Sequence, residues 1–283
     1  MLVGERRDIV PIGDELRALA WLGAMMIATG TGIVITKHFH EIGPLTIAAA
    51  VAVAAFACYA FALWKQSAIR DYIALLGALL ISADVGFIES QWHLLGAEWQ
   101  RHFLLLAVVH AAAAYAFGNR AVLSLSIAAL ASWFGIEKRE LFSTDVDFAW
   151  RAFACAAVLI GWRLADRRVD FHALFEHFAA NIAFWGALVL TSDTSTRPIG
   201  LLVTLALAAV VMAYGLRTRR ELFVMYAGIY ALIAIDIEVV ILIADVSDEP
   251  ILAVFYVLLS TVAAIAALFA IHVRFQKERL AHA

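Results

Sequence analysis

The sequence predicts an all-α protein, a polytopic transmembrane helix bundle of about ten spans with both termini in the cytoplasm. Three observations support this prediction. First, 64% of the 283 residues are apolar, 16% are charged and the mean hydropathy is +0.87, whereas a soluble domain has roughly 45 to 50% apolar residues. Second, the apolar residues form runs of about 20, the length of a helix that crosses a bilayer. Third, the basic residues gather on alternate connections between these runs.

Ten apolar segments are the predicted spans. Helices suit them because lipid offers no hydrogen-bond partner, so every backbone N–H and C=O must be bonded within the protein. The two segments that flank Gly118, Asn119 and Arg120 fall short of the roughly 20 residues that cross a hydrocarbon core of about 30 Å. If this pair is one re-entrant hairpin, eight full spans remain. In chain order the segments are 16–36, 44–64, 71–89, 102–117, 121–136, 148–164, 173–191, 198–216, 222–244 and 250–272.

The distribution of basic residues predicts the orientation of the bundle. Cytoplasmic loops of membrane proteins carry an excess of lysine and arginine, and one side of this bundle holds 15 of the 21 basic residues. The amino and carboxyl ends are on that side with ten spans or with eight, although eight spans would move Arg120 to the other side. Its basic residues are Arg6, Arg7, Arg17, Lys65, Arg70, Arg120, Arg163, Arg167, Arg168, Arg217, Arg219, Arg220, Arg274, Lys277 and Arg279.

The predicted organisation is one membrane domain with short connections. Residues 1–15 form a cytoplasmic segment, residues 16–272 the transmembrane domain and residues 273–283 a cytoplasmic tail. No removable signal peptide is expected, and the predicted location is the bacterial cytoplasmic (inner) membrane, in which the chain passes the lipid bilayer several times. The formal net charge is −3 and the basic residues form only short clusters, so nucleic acid is not an expected partner.

Ionisable residues inside the spans are the candidates for binding a substrate or an ion, because a charge near the bilayer centre costs about 2.5 to 3.5 kcal/mol. At 1.5 Å per residue, two aspartates lie about 20 Å from the cytoplasmic starts of their helices, and a histidine and an arginine lie about 12 Å and 5 Å below the outer surface. These depths predict one outward-facing polar cavity. The alternative is that the arginine pairs with an acid and the other groups serve only helix packing. The candidates are Asp84, His110, Arg151, Asp236 and Glu238, with Asn181 as an uncharged addition.

A second set of candidates lies at the predicted outer surface. His38 and His40 occupy one outer connection, and Glu89 and His93 another. Imidazoles and carboxylates suit Zn²⁺ or a similar ion, but no close-spaced ligand pair on a helix accompanies them, so the identity of any metal stays open. On the cytoplasmic side, His172, Glu176 and His177 differ by one residue from an inverted zinc-protease motif and are interpreted as an interfacial turn of helix.

Part of the chain resembles a known family. The run Gly77 to Leu80 is followed by Trp92-His93-Leu94-Leu95-Gly96, then by Gly118 to Leu123 and Trp133. These residues resemble the bacterial membrane-protein family called domain of unknown function 2157, over about residues 15 to 136. The sequence departs from the family pattern at Ser90, Leu95 and Ala97, where glutamine, serine and an acid are usual, and retains His93. The resemblance implies the membrane fold and no activity.

Three functions remain open. The first is a small-molecule or ion transporter or binding protein that uses the outward-facing cavity. The second is a non-catalytic subunit or scaffold, whose partner is another membrane protein or a second copy in a homo-oligomer and whose intramembrane charges are closed into ion pairs. The third is a membrane enzyme with an outer histidine and carboxylate metal site. Phosphate-binding loops, nucleophile elbows and redox pairs are absent from the sequence, which favours a protein that is not an enzyme, and no cofactor is identified.

Overall fold

The computed structural model describes residues 43–65, 69–98, 100–136, 146–247 and 250–281, together with isolated residues between 19 and 33. The regular secondary structure of these residues is helical, which confirms the predicted all-α class. The chain forms two compact units, residues 1–133 and residues 134–283.

Unit 1 contains two antiparallel helix pairs. Helix α1 packs along α2, and α3 packs along α4. The described residues between 19 and 33, within the first predicted span, are also helical. The helices are α1 (Pro44–Trp64), α2 (Arg70–Trp92), α3 (Arg101–Phe117) and α4 (Arg120–Trp133), with a short 3₁₀ turn at Gly96–Glu98 before α3.

The turn between α3 and α4 is built by two residues. Gly118 has a φ of 68° and ends α3 in the left-handed conformation that glycine adopts without strain. Asn119 then caps α4, because its Oδ1 accepts hydrogen bonds from the N–H groups of Ala121 (2.9 Å) and Val122 (3.2 Å). Its Nδ2 donates to the carbonyl of Asp71 at the start of α2, at 2.7 Å. The hairpin is therefore fixed to the neighbouring pair.

The described residues of unit 2 form five helices, each packed against the next in sequence. Its core lies between the middle three helices, where Phe184 stacks on Tyr230 with ring centroids 4.4 Å apart. Two glycines allow the backbones to approach closely, as is typical of membrane bundles: Gly200 lies against Leu190 and Gly215 against Val224. The helices are α5 (Val146–Ala165), α6 (Val169–Ser192), α7 (Arg197–Thr218), α8 (Glu221–Val246) and α9 (Pro250–Ala281).

Seven of the described helices are long and apolar enough to cross a membrane, namely α1, α2 and α5 to α9. Helices α3 and α4 are apolar but have only 17 and 14 residues, so they stay the short pair that the sequence predicted. Helix α9 continues past residue 272, the predicted end of the membrane domain. The protein is thus a multi-pass helical membrane protein with seven candidate spans in the described residues.

Candidate functional site

Asp84 is a buried carboxylic acid on α2. Leu80, one helical turn earlier on the same face, packs against Val51 and Ala55 of α1, so Asp84 also faces α1. Helix α1 has no charged residue to offer it. Asp84 is 9% exposed, and its Oδ1 is buried without a hydrogen-bond partner. An acid in this position carries an unsatisfied acceptor inside the membrane domain.

His110 is the second buried titratable group of unit 1. It lies on α3 and is 1% exposed. Its Nε2 forms a 2.7 Å hydrogen bond with the Oγ of Ser82 on α2, while its Nδ1 is buried without a partner. The serine fixes the orientation of the ring and leaves the other ring nitrogen without a hydrogen-bond partner.

Asp84 lies on α2 and His110 bonds to α2 through Ser82, but these two residues of α2 are on different faces of the helix. Ser82, which bonds His110, and Asp84 are two residues apart, a rotation of about 200° around the helix. Consistent with this, neither Asp84 Oδ1 nor His110 Nδ1 is the partner of the other. Unit 1 therefore holds two separate buried groups, Asp84 on α2 and His110 on α3, which do not bond to each other.

The outer-turn candidates of unit 1 have local structural roles. Helix α2 ends at His93, which has the left-handed φ of 47°. The carboxylate of Glu89 accepts a hydrogen bond from the N–H of Leu95, with its oxygens 3.2 and 3.3 Å away, and so closes the turn. His38 and His40 lie outside the described residues. Among those described, no three histidine, cysteine or acidic side chains are close enough to hold a metal ion.

In unit 2, Arg151 lies near the start of α5. Its guanidinium packs against Gly135, which has a φ of 75° and no side chain in the way. Its Nε donates a 3.4 Å hydrogen bond to the carbonyl of Asp147, one turn earlier on the same helix. These two contacts of Arg151 lie at the beginning of the unit.

Asp236 faces the last helix. The hydroxyl of Tyr256 donates to its Oδ1 at 2.8 Å, and the hydroxyl of Ser260 lies 2.8 Å from both carboxylate oxygens. Glu238, two residues later, points elsewhere and has a buried Oε1 with no partner. Asn181 is satisfied, since its Oδ1 accepts from Tyr230 at 2.9 Å. The predicted single cavity for all five charged candidates stays a prediction, because Asp84 and His110 belong to unit 1 and the other three to unit 2.

Sequence reasoning missed an ionic cluster around Glu176, at the end of unit 2 that was predicted to be cytoplasmic. Glu176 lies on α6 and is 7% exposed. Its Oε1 accepts from the Nε of Arg163 at 2.8 Å, and its Oε2 accepts from Arg220 and from the hydroxyl of Tyr214 at 3.0 Å. Three donors from α5, α7 and the residue before α8 thus converge on one carboxylate of α6. We call these four residues the Glu176 cluster.

A signal for this cluster was present in the sequence. Glu176 is an acid in the first third of a long apolar helix, and arginines end α5 and precede α8 at the same side of the bundle. The arginines were interpreted only as markers of orientation. An acidic residue on a helix whose neighbours have arginines at the same end predicts an ion pair.

Comparison with known families identifies part of the chain. Residues 4–123 match the family described as predicted membrane protein (DUF2157). The predicted resemblance to domain of unknown function 2157 is thereby confirmed over this range, which covers α1, α2, α3 and the beginning of α4. No curated protein and no solved structure matches the chain.

Proposed function

We propose that this multi-pass membrane protein is a proton-coupled transporter in which Asp84 binds the proton within the bilayer. The observation that carries the proposal is the buried carboxyl of Asp84, 9% exposed, facing an uncharged helix with Oδ1 unpartnered. Ionisable groups in this state are costly in lipid and mark ion pathways.

The surroundings of Asp84 favour a proton over a metal cation. Cations such as Ca²⁺ or Mg²⁺ need six or more oxygen ligands, several of them from carboxylates or carbonyls. The facing surface of α1 is Ile47, Val51 and Ala55, which supplies none from side chains. A proton needs a single oxygen and removes the charge whose burial is costly.

His110 supports the same function from the next helix. Its free Nδ1 is a second proton site, and its link to Ser82 connects α3 to the helix that carries Asp84. The two groups thus provide a pair of protonation sites on neighbouring helices.

The proposed topology completes this picture. Ten spans, or eight with a re-entrant α3–α4 hairpin, put both termini in the cytoplasm of a bacterial inner membrane and the acids of α2 and α8 in the outer half of the bilayer. The support for this orientation is the concentration of 15 of the 21 basic residues on one side.

The test is the protonation state of Asp84 in the full chain reconstituted in lipid. Infrared spectra at neutral pH are expected to show a protonated carboxyl band that Asp84→Asn removes. Asp71→Asn is the matched control, because Asp71 is an exposed acid in the first turn of the same helix. In vesicles with an internal pH dye, Asp84→Asn is expected to slow proton entry. A wild-type spectrum without this band, or a band that Asp84→Asn leaves intact, would contradict the proposal.

A second candidate function is that of a structural subunit. The observation that favours it is the Glu176 cluster, which joins α5, α6, α7 and the residue before α8 by ion pairs and a hydrogen bond. A subunit of this kind resides in a complex, so the protein extracted in native lipid would have the mass of a defined assembly. Replacing Asp84 would leave that mass unchanged, and a monomer would contradict this candidate.

A further inference from the structure

Helices α8 and α9 enclose a shallow groove of about 320 Å³ in unit 2. Asp236 is one of its six lining residues, and the other five are aliphatic. Both helices are candidate spans, and Val257 in the wall is 41% exposed, so the groove opens at bilayer depth. The lining residues are Ile233, Asp236, Ile237, Val240, Ile241 and Val257.

The carboxylate in the groove has capacity for a further partner. A carboxylate accepts about four hydrogen bonds, and two hydroxyl groups, those of Tyr256 and Ser260, donate to Asp236. Hydroxyl donors hold the carboxylate in position but do not neutralise it. In the described part of the chain these two hydroxyls are its hydrogen-bond partners, and no basic side chain is paired with it.

We propose that this groove binds a small hydrophobic organic ammonium ion that enters from the lipid. The ammonium group donates to the free lone pairs of Asp236, and the hydrocarbon lies along Ile237, Val240 and Val257. Charge complementarity selects the cation, and the aliphatic walls select its apolar body. The volume is at the lower end of the roughly 300 to 1,000 Å³ of small-molecule sites, which limits the ligand to a compact amine.

A metal ion fits this groove less well than an organic cation. The lining offers one carboxylate and five aliphatic side chains, while hard cations require several oxygen ligands. An alkylammonium ion loses less hydration on entering an apolar groove, because most of its surface is hydrocarbon. This site is independent of the proton site proposed at Asp84, which lies in unit 1.

The experiment uses the full chain in phosphatidylcholine nanodiscs and two probes of the same shape, 2-phenylethylammonium and 2-phenylethanol. Calorimetric titration at neutral pH, corrected with empty nanodiscs, is expected to show saturable binding of the ammonium ion and at least tenfold weaker binding of the alcohol. Asp236→Asn is expected to remove this preference. Asp245→Asn, which deletes an exposed acid nine residues later on the same helix, is expected to keep it.

Two further variants test whether binding requires the open groove and whether it depends on the proton site. Val257→Trp keeps Asp236 and its hydroxyl partners but fills the groove, so it is expected to abolish binding of the ammonium ion. Asp84→Asn is expected to leave binding unchanged, so this site and the proton site can fail separately. The proposal is overturned if wild-type protein binds no more ammonium than empty nanodiscs, if the alcohol binds equally well, or if Val257→Trp binds with full affinity.

Discussion

Glu176→Gln tests whether the Glu176 cluster stabilises unit 2. The carboxylate accepts three hydrogen bonds, two from arginines and one from Tyr214, and hydrogen bonds to charged groups contribute about 1.5 to 3 kcal/mol each. Glutamine keeps one acceptor oxygen. Its NH₂ group takes the place of Oε2 and cannot accept the hydrogen bonds that Arg220 and Tyr214 donate there. The side chains of Arg163 and Arg220 are 32% and 39% exposed, so they can turn to water and recover part of the loss. We expect a net destabilisation of about 2 kcal/mol.

The assay is reversible unfolding of the reconstituted protein in mixed micelles, followed by the loss of helical circular dichroism. Arg163→Gln is expected to destabilise in the same direction, since it removes one donor to Glu176. Arg217→Gln is the matched control, because this exposed arginine lies on α7 near the same end of the bundle. If Glu176→Gln and Arg163→Gln change the free energy of unfolding no more than Arg217→Gln does, the cluster does not stabilise the fold.

Three other predictions concern single positions. Gly200→Ala puts a Cβ within 2.6 Å of a backbone carbonyl oxygen and is expected to lower the free energy of unfolding by about 1 to 3 kcal/mol. Gly161→Ala is the control, because the space around Gly161 is open. It is expected to be neutral or stabilising by up to about 1 kcal/mol. His93→Gly relieves a left-handed φ of 47° and is expected to raise stability by about 1 kcal/mol; a loss of stability would show that the imidazole makes a favourable contact. Hydrogen bonds from Ser195 hold the pKa of the Asp193 carboxyl below its usual range. The ionised Asp193 therefore stabilises the fold above the pKa of the carboxyl in the unfolded chain, near 3.9. This stabilisation disappears as the pH falls through the lower pKa of the folded protein. The melting-temperature advantage of wild type over Asp193→Asn should shrink below about pH 4, and a constant difference would refute this assignment.

Helix positions were predictable because each depends on local sequence. An apolar run of membrane length specifies a helix by itself, and the predicted segment 44–64 coincides with α1. The sequence also placed a break between two short apolar segments at Gly118 to Arg120, where the structure has a left-handed glycine followed by a capping asparagine, a short-range pattern. Seven long helices in the described residues agree with these runs, while the segment 16–36 lies mostly outside them.

Partners of the buried polar groups were not predictable, because they depend on which helix faces meet. Asp236 bonds to residues 20 and 24 positions later, and Glu176 bonds to Arg220, 44 positions later. The depth of a residue along its helix follows from counting residues. The direction of its side chain around the helix axis and the helix that it faces depend on how the helices pack. This is why depth alone grouped Asp84 with Asp236, whereas the structure assigns them to different units with different neighbours.

The short α3–α4 hairpin has a consequence for the lipid around it. With 17 and 14 residues, the two helices are about 26 and 21 Å long, less than a hydrocarbon core of about 30 Å. Either the bilayer thins beside them or the hairpin tip stays within it. His110 is nine residues from the start of α3 at Arg101, about 14 Å along the axis. If the bilayer surface lies at that end of α3, a proton from the water has less than half of the hydrocarbon thickness to cross before it reaches the imidazole.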